Sequence, residues 1–278
     1  MTPMFYLAVL FGLTVVYKIL LKRCSAVLDH KSVPVFIGVW VLIGLALASP
    51  LYAAAAWTLT TAHPLVIALA MAKGGLLYMT LLWGQRLMRE SLSSSLYTSP
   101  MSIGAIAIIN FMLGERLAGL QWFSAVSVCL LSCLFFLRGH LSEMSRQAKR
   151  DYAIIVVLLV AMGGMDQFGI SHIGWYGYLA VSNVVLLAIG LARHGDIKNA
   201  VFNRLALPAG ILFAVCELFK FYQSVTINPV TAVILTQNLA TPVLLGLSAV
   251  VWKERTVKEQ LIWGALAFAL SVPLFLAK

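Results

Sequence analysis

The chain has 278 residues, of which 61% are hydrophobic and 11% charged, and a formal net charge of +10. A soluble domain carries about 25% charged residues, and so few charges cannot cover the surface of a soluble globule of this size. The composition excludes an ordinary soluble enzyme or nucleic-acid-binding domain, and it points to lipid as the solvent of the apolar surface.

A spanning helix needs about 20 mostly apolar residues, and ten segments meet that length approximately. The first runs about 3–21. It has no basic stretch ahead of Phe5, so it reads as a retained span rather than a cleavable leader. The second to fifth run about 33–57, 64–85, 91–113 and 118–137. The loop 138–151 follows, with the densest positive charge, at Arg138, Arg146, Lys149 and Arg150. The sixth and seventh run about 152–170 and 174–192, and the eighth to tenth about 204–223, 227–251 and 258–277. The runs are too long, and alternate too little, for barrel strands, so helices are expected throughout. The sixth segment ends in a glycine-rich stretch, 163–169, that carries Asp166 and reads as a short, broken or re-entrant end, with Asp166 and His172 placed in a loop.

The fourth segment carries a polar stripe, Ser91, Ser94, Ser95, Thr98 and Ser102, within about 100° of one another at helical spacing. In the ninth, Thr231, Gln237, Asn238 and Thr241 form a second stripe. Lys73 stands in the middle of the third segment, and Glu217 and Lys220 share a face of the eighth, extended by Phe213 and Ser224. Charges inside a membrane are costly and mark functional sites. Of these, Lys73, Thr98, Ser102, Glu217, Lys220, Gln237, Asn238 and Thr241, together with Tyr78, are the candidate substrate-binding residues. Lys73 is expected to pair with Glu217, a bound anion or a substrate carboxylate. Most of the seven tryptophans lie near segment ends, as an interfacial belt requires, whereas Trp40, Tyr78 and Tyr222 lie deeper. Cys129 and Cys133 are four apart without an accompanying histidine and read as packing residues. No nucleophile elbow, P-loop, H-E-x-x-H or thiol metal pattern occurs, so neither an enzyme nor a cofactor is expected.

Glu115, Arg116 and Gln121 follow the fourth segment, and Glu254, Arg255 and Gln260 follow the ninth. Both read E-R-x-x-x-x-Q, half a chain apart. A unit of five helices begins and ends on opposite sides of a membrane, so its tandem copy inserts upside down. The expected fold is therefore all-α, with ten transmembrane helices as two inverted repeats, 1–138 and 151–278.

At these sites, FMLGERLAGLQW at 111–122 and VVWKERTVKEQ at 250–260, the chain resembles the drug/metabolite transporter superfamily in its two-repeat EamA-like form. Pro242 precedes Glu254 at the family's spacing, Pro100 lies farther from Glu115, and Lys253 replaces the usual glycine. The resemblance implies a central cavity lined by the third, fourth, eighth and ninth spans. It also implies secondary transport, in the export direction, of a small metabolite such as an amino acid across the inner membrane. Glu217 is then the best protonatable site if protons rather than a counter-substrate drive the cycle. Uptake of a choline-like cation or flipping of a lipid-linked sugar is the alternative, and an integral-membrane enzyme or scaffold is an alternative of another class. Lipids and a small-molecule substrate are the expected partners, with a monomer or homodimer as the assembly. Family members are usually drawn with both termini in the cytoplasm. Here lysine and arginine crowd the odd-numbered loops, and the even loops hold only Arg116, which places both termini outside.

Overall fold

The computed structural model describes residues 3–49, 63–136, 138, 144–194, 198, 201–226, 230–253 and 257–271, with the side chains of 3, 4, 6, 7, 93, 135, 223–239, 257–261 and 271 outside the description. The described residues form helices and no strand. In chain order these are α1 (Pro3–Val27), α2 (Ser32–Ala48), α3 (Pro64–Glu90), α4 (Leu92–Leu96), α5 (Thr98–Met112), α6 (Gly119–Phe135), α7 (Arg146–Arg193), α8 (Ala206–Thr226), α9 (Val230–Val251) and α10 (Val257–Ser271). A helix lies in each of the ten apolar segments. By length and composition, Pro64–Glu90, Ser94–Met112 and Arg146–Arg193 are long and apolar enough to cross a membrane. Ser32–Ala48, Gly119–Leu134 and Ala240–Val251 are shorter apolar helices.

The helix limits follow local chemistry. Pro64 opens α3, where its missing N–H costs nothing, and His63 Nδ1 accepts from Leu65 N at 3.2 Å. Ser91 ends α3 in an extended conformation and caps α4, accepting from Ser94 N at 3.2 Å. The fourth apolar segment thus begins afresh at Ser91, and α4 and α5 meet at Tyr97, whose backbone stays right-handed helical, so Ser94–Met112 runs on through it. The glutamine of the repeated motif has a structural role, since Gln121 Oε1 accepts from Ala118 N at 2.9 Å and holds the first turn of α6. Gly114, just past α5, has φ 96°, and Lys253, just past α9, has φ 54°. These are equivalent positions of the two motif copies. Left-handed residues commonly close helices there, and glycine bears that conformation best. Lys253 adopts at its copy of the motif the left-handed conformation that Gly114 adopts at the other.

α7 is 48 residues long, about 72 Å if straight. It folds back on itself at Gly174, where φ is 71° and ψ 158°. Its first turns, with Gln147 and Asp151, face His30 and Arg86. Its far end returns to the same place, with His194 Nε2 3.0 Å from Ser32 Oγ. Just past the bend, Tyr176 donates to the Leu45 carbonyl at 2.8 Å, near the other end of α2. The two arms, 146–173 and 175–193, are therefore antiparallel, and α2 runs antiparallel to the second. The sixth and seventh apolar segments are these arms.

α3 packs along both arms. A Cβ on Gly74 would fall 2.3 Å from the Ser182 carbonyl oxygen, so only glycine allows this approach. α1 is antiparallel to α8, with Tyr17 and Phe213 edge to face at 5.4 Å and Thr14 Oγ1 3.7 Å from Cys216 Sγ. α5 lies on the first arm, α6 on α5, and α10 on α9.

Candidate functional site

A cavity of about 210 Å³ lies among α1, α3, α4, α5, the first arm of α7, and α8. Its lining residues run over 17–21 of α1, 73–88 of α3, 95–106 of α4 and α5, 155–166 of α7 and 213–220 of α8. The stretches of α1 and α3 lie toward the ends of those helices nearer the basic loops, and those of the first arm of α7 and of α8 are central. The cavity is a vestibule whose rim lies by Leu87 and Met88 and whose floor lies by Lys73 and Asp166. Along α3 the 15 residues from Lys73 to Met88 cover about 22 Å.

At the floor Lys73, 4% exposed, forms an ion pair with Asp166, 6% exposed. The ammonium also stands 4.3 Å from the Phe221 ring centroid and 4.8 Å from that of Tyr178, within cation–π range. Tyr178 reaches this place because Gly169 has no side chain, as a Cβ there would lie 2.2 Å from the Tyr178 ring. Asp166 and Tyr178 thus meet across the bend of α7. One turn along α8, Lys220 donates to Glu217 at 3.5 Å. On α1, Lys18 lines the same cavity within electrostatic range of Glu217 and Lys220. Five ionisable side chains from four helices share one vestibule. Thr98 and Ser102 line its wall, their hydroxyls donating to the carbonyls of Ser95 at 2.7 Å and Ser99 at 2.8 Å.

Lys73, Thr98, Ser102, Glu217 and Lys220, expected at a common site, all line the vestibule. Lys73 pairs with Asp166 rather than Glu217. Asp166 is a buried helical residue, not a loop residue, because the first arm of α7 continues past the glycines instead of breaking there. His172 is likewise helical, and exposed. Tyr78 and Thr241 are buried away from the vestibule wall. Tyr78 is five residues from Lys73 and so about 140° round the helix. The side chains of Gln237, Asn238 and Ser224 lie outside the described residues. Asp166, Tyr178, Phe221 and Lys18 belong to the site without having been expected there. Among the described residues no group of histidine, cysteine and acidic side chains could hold a metal ion, and Cys129 and Cys133 are free thiols.

A second charged region lies at the rim, in an open recess lined by His30, Arg86, Arg89, Glu90, Gln147 and Asp151. His30 Nδ1 is 2.8 Å from Asp29 Oδ1, and its Nε2 is 3.2 Å from Arg86 Nη2. The arginine can donate only if Nε2 is unprotonated, so the geometry selects the neutral ring. Burial, aided by the Arg86 charge and opposed by Asp29, holds this imidazole below its ordinary range. Glu90 ties the end of α3 to the start of α7 by accepting from Ser145 N at 3.2 Å and Ser145 Oγ at 3.1 Å. Lys22 Nζ donates to the Met88 carbonyl at 2.7 Å and joins α1 to α3.

No family model matches this chain, and no curated protein matches it. Among solved structures, a crystal structure of another protein superposes with a TM-score of 0.59 at 12% identity, covering 97% of this chain and 96% of its own. At that identity the likeness is one of fold, and it extends over essentially the whole of both chains.

Proposed function

We propose that this chain is a multi-pass transporter of the inner membrane. It carries a small metabolite by alternating access between two inverted five-helix repeats, in the manner of the drug/metabolite transporters it resembles. The observation that carries the reading is the vestibule itself. Five ionisable side chains converge there from four helices, in a chain whose apolar composition leaves few charges to spare. Such groups within a membrane mark substrate and ion pathways.

Further features support the repeat. The left-handed helix terminators at Gly114 and Lys253 occupy equivalent motif positions. α2 and the second arm of α7, the second members of the two halves, lie antiparallel against each other. Ends of α1, α3 and α7 gather at one face with the basic loops, which by charge is the cytoplasmic face. The vestibule then opens inward, and both termini lie outside.

The transport reading is tested with purified protein in proteoliposomes lacking ATP. A panel of labelled amino acids, organic acids and choline is offered, with flux compared between wild type and Lys73→Met. Saturable flux of at least one solute, lost in the variant, is expected, and no flux of any solute sinks the reading. Orientation is tested separately in intact cells on a background without native thiols. A membrane-impermeant thiol reagent should label His63→Cys and spare Arg146→Cys, and the reverse pattern places the termini inside.

A further inference from the structure

The charges of the vestibule do not balance. Of the chain's ten acidic residues, only Asp166 and Glu217 stand well inside apolar segments. Three lysines share the vestibule with them: Lys18, Lys73 and Lys220. Asp166 pairs with Lys73, and Glu217 with Lys220. Among the described residues Lys18 has no ion-pair or hydrogen-bond partner. Nor can α9 supply an anion from its undescribed side chains, since its sequence has no aspartate or glutamate. One positive charge is left over in an apolar setting, where an uncompensated ion is expensive.

A second observation falls at the same level. Lys22 joins α1 to Met88 of α3, and both helices end at the rim, so they run parallel. Four residues back along each helix come Lys18 and Gly84, the latter next to Gln85, and all three line the vestibule. A Cβ on Gly84 would meet nothing within 4 Å, so the wall is open there. Gln85 is 3% exposed and lines the vestibule, yet its carboxamide oxygen has no hydrogen-bond partner among the described residues. The two ends of a carboxamide are interchangeable by rotation, so this group can present either an acceptor or a donor to a ligand. A spare ammonium, an unsatisfied carboxamide and a gap between them form a receptor for an anion with hydrogen-bonding oxygens. Leu21, Leu77, Leu81, Ile155 and Leu159 supply an apolar wall beside it.

We infer that the vestibule binds an amphipathic monocarboxylate, with its carboxylate held by Lys18 and Gln85 beside Gly84 and its apolar body against the leucine wall. The excess of a single charge favours a carboxylate over a phosphate ester, which carries about −1.5 to −2 at neutral pH. It also disfavours a zwitterion or a cation, neither of which neutralises Lys18. The inference deepens the transport reading and rests on the same vestibule being the substrate site.

The test is ligand-induced thermal stabilisation of the full-length protein in detergent. Hexanoate and phenylacetate are the anionic probes, and phenylacetamide, 2-phenylethylamine and phenylalanine carry the same ring with other charges. At least one monocarboxylate should raise the melting temperature saturably, and the amide, amine and zwitterion should fall at least tenfold behind in affinity. Lys18→Met should weaken carboxylate binding at least tenfold, Lys18→Arg should keep most of it, and Gly84→Val should block it by filling the gap. Failure of both carboxylates, or equal binding of the neutral and cationic probes, overturns the inference even if the Lys18→Met variant does not fold. Carboxylate binding unchanged in a folded Lys18→Met also overturns it. Binding without flux in proteoliposomes keeps this inference and removes the transport reading. Flux of choline or a zwitterion without carboxylate binding does the opposite.

Discussion

The floor of the vestibule and its rim hold similar side chains under opposite conditions. At the floor, Lys73 and Asp166 are buried among aromatic rings and leucines, each almost without solvent. At the rim, Arg86, Arg89, Glu90 and His30 surround an open recess where water and salt can reach them. A charge at the floor cannot exchange its partner for water, so its geometry is tightly dictated. An exposed charge at the rim, such as Arg89 or Glu90, can exchange its partner for water at little cost. The same amino-acid vocabulary therefore builds a fixed element at one depth and an adjustable one about 22 Å away.

The sharpest way to break this contrast is to remove one partner at the floor. Lys73→Met leaves the Asp166 carboxylate buried and unpaired, and should destabilise the protein by about 3–5 kcal/mol. The double variant Lys73→Met with Asp166→Leu should recover most of that loss. Thermal unfolding in detergent measures both, and an unchanged midpoint in Lys73→Met shows that the pair is not energetically special.

The bend that carries Tyr178 to Asp166 comes next. Gly174→Ala places a side chain at φ 71° and ψ 158°, a region essentially reserved for glycine, and should cost about 1–3 kcal/mol. Gly84→Ala, where the added carbon meets nothing, is the control and should be close to neutral in stability. Equal midpoints for the two variants mean that the bend tolerates a side chain.

At the rim, Arg86→Ala should cost no more than about 1 kcal/mol, and the loss should shrink as salt rises from about 0.05 to 0.5 M. A large, salt-independent loss erases the distinction between the two regions. The smallest effect concerns His30. Its folded-state pKa lies below its ordinary value of 6.5, so the unfolded chain binds the proton more readily. Stability contributed by the neutral ring is complete above about 6.5 and is lost as pH falls below it. The unfolding midpoint should therefore drop between about pH 7 and 5.5, and the slope should flatten in His30→Gln. An identical slope in the variant removes His30 from the rim's pH response.

The sequence made the floor half legible. Lys73, Glu217 and Lys220 stood out because a charge within an apolar run has few bland explanations, and helical spacing put Thr98 and Ser102 on one face. Asp166 was hidden by its neighbours, since 163–169 reads as a chain break. In the structure its glycines are contact points, with Gly169 receiving the Tyr178 ring. Tyr178 and Phe221 carried no signal, because an aromatic in an apolar segment is ordinary packing until a cation is seen against it. Lys18 was lost near the edge of the first segment, where a lysine reads as reaching for the interface. α1 continues to Val27 and leaves it well inside. Helix positions came from apolar length alone, whereas the fold-back of α7 required a backbone angle that composition does not encode. Tyr78 shows the limit of choosing by residue type, for spacing from Lys73 alone sets it on another face.

The ion pair at the floor joins residues 93 positions apart, and that separation is also an interval of time. Ribosomes add about 5–20 residues per second, so Asp166 is made roughly 5–19 s after Lys73. If the third segment enters the bilayer as it emerges, its ammonium must wait for its carboxylate throughout that interval. During the wait it is held by snorkelling, by local water or by the insertion machinery. The Asp166–Tyr178 half of the floor, spanning one bend of α7, is assembled almost at once when its turn comes. Biogenesis of this protein is therefore exposed at its third segment. Slowing synthesis between Lys73 and Asp166 prolongs that exposure, while slowing it afterwards delays only the aromatic part of the floor, with the carboxylate already made.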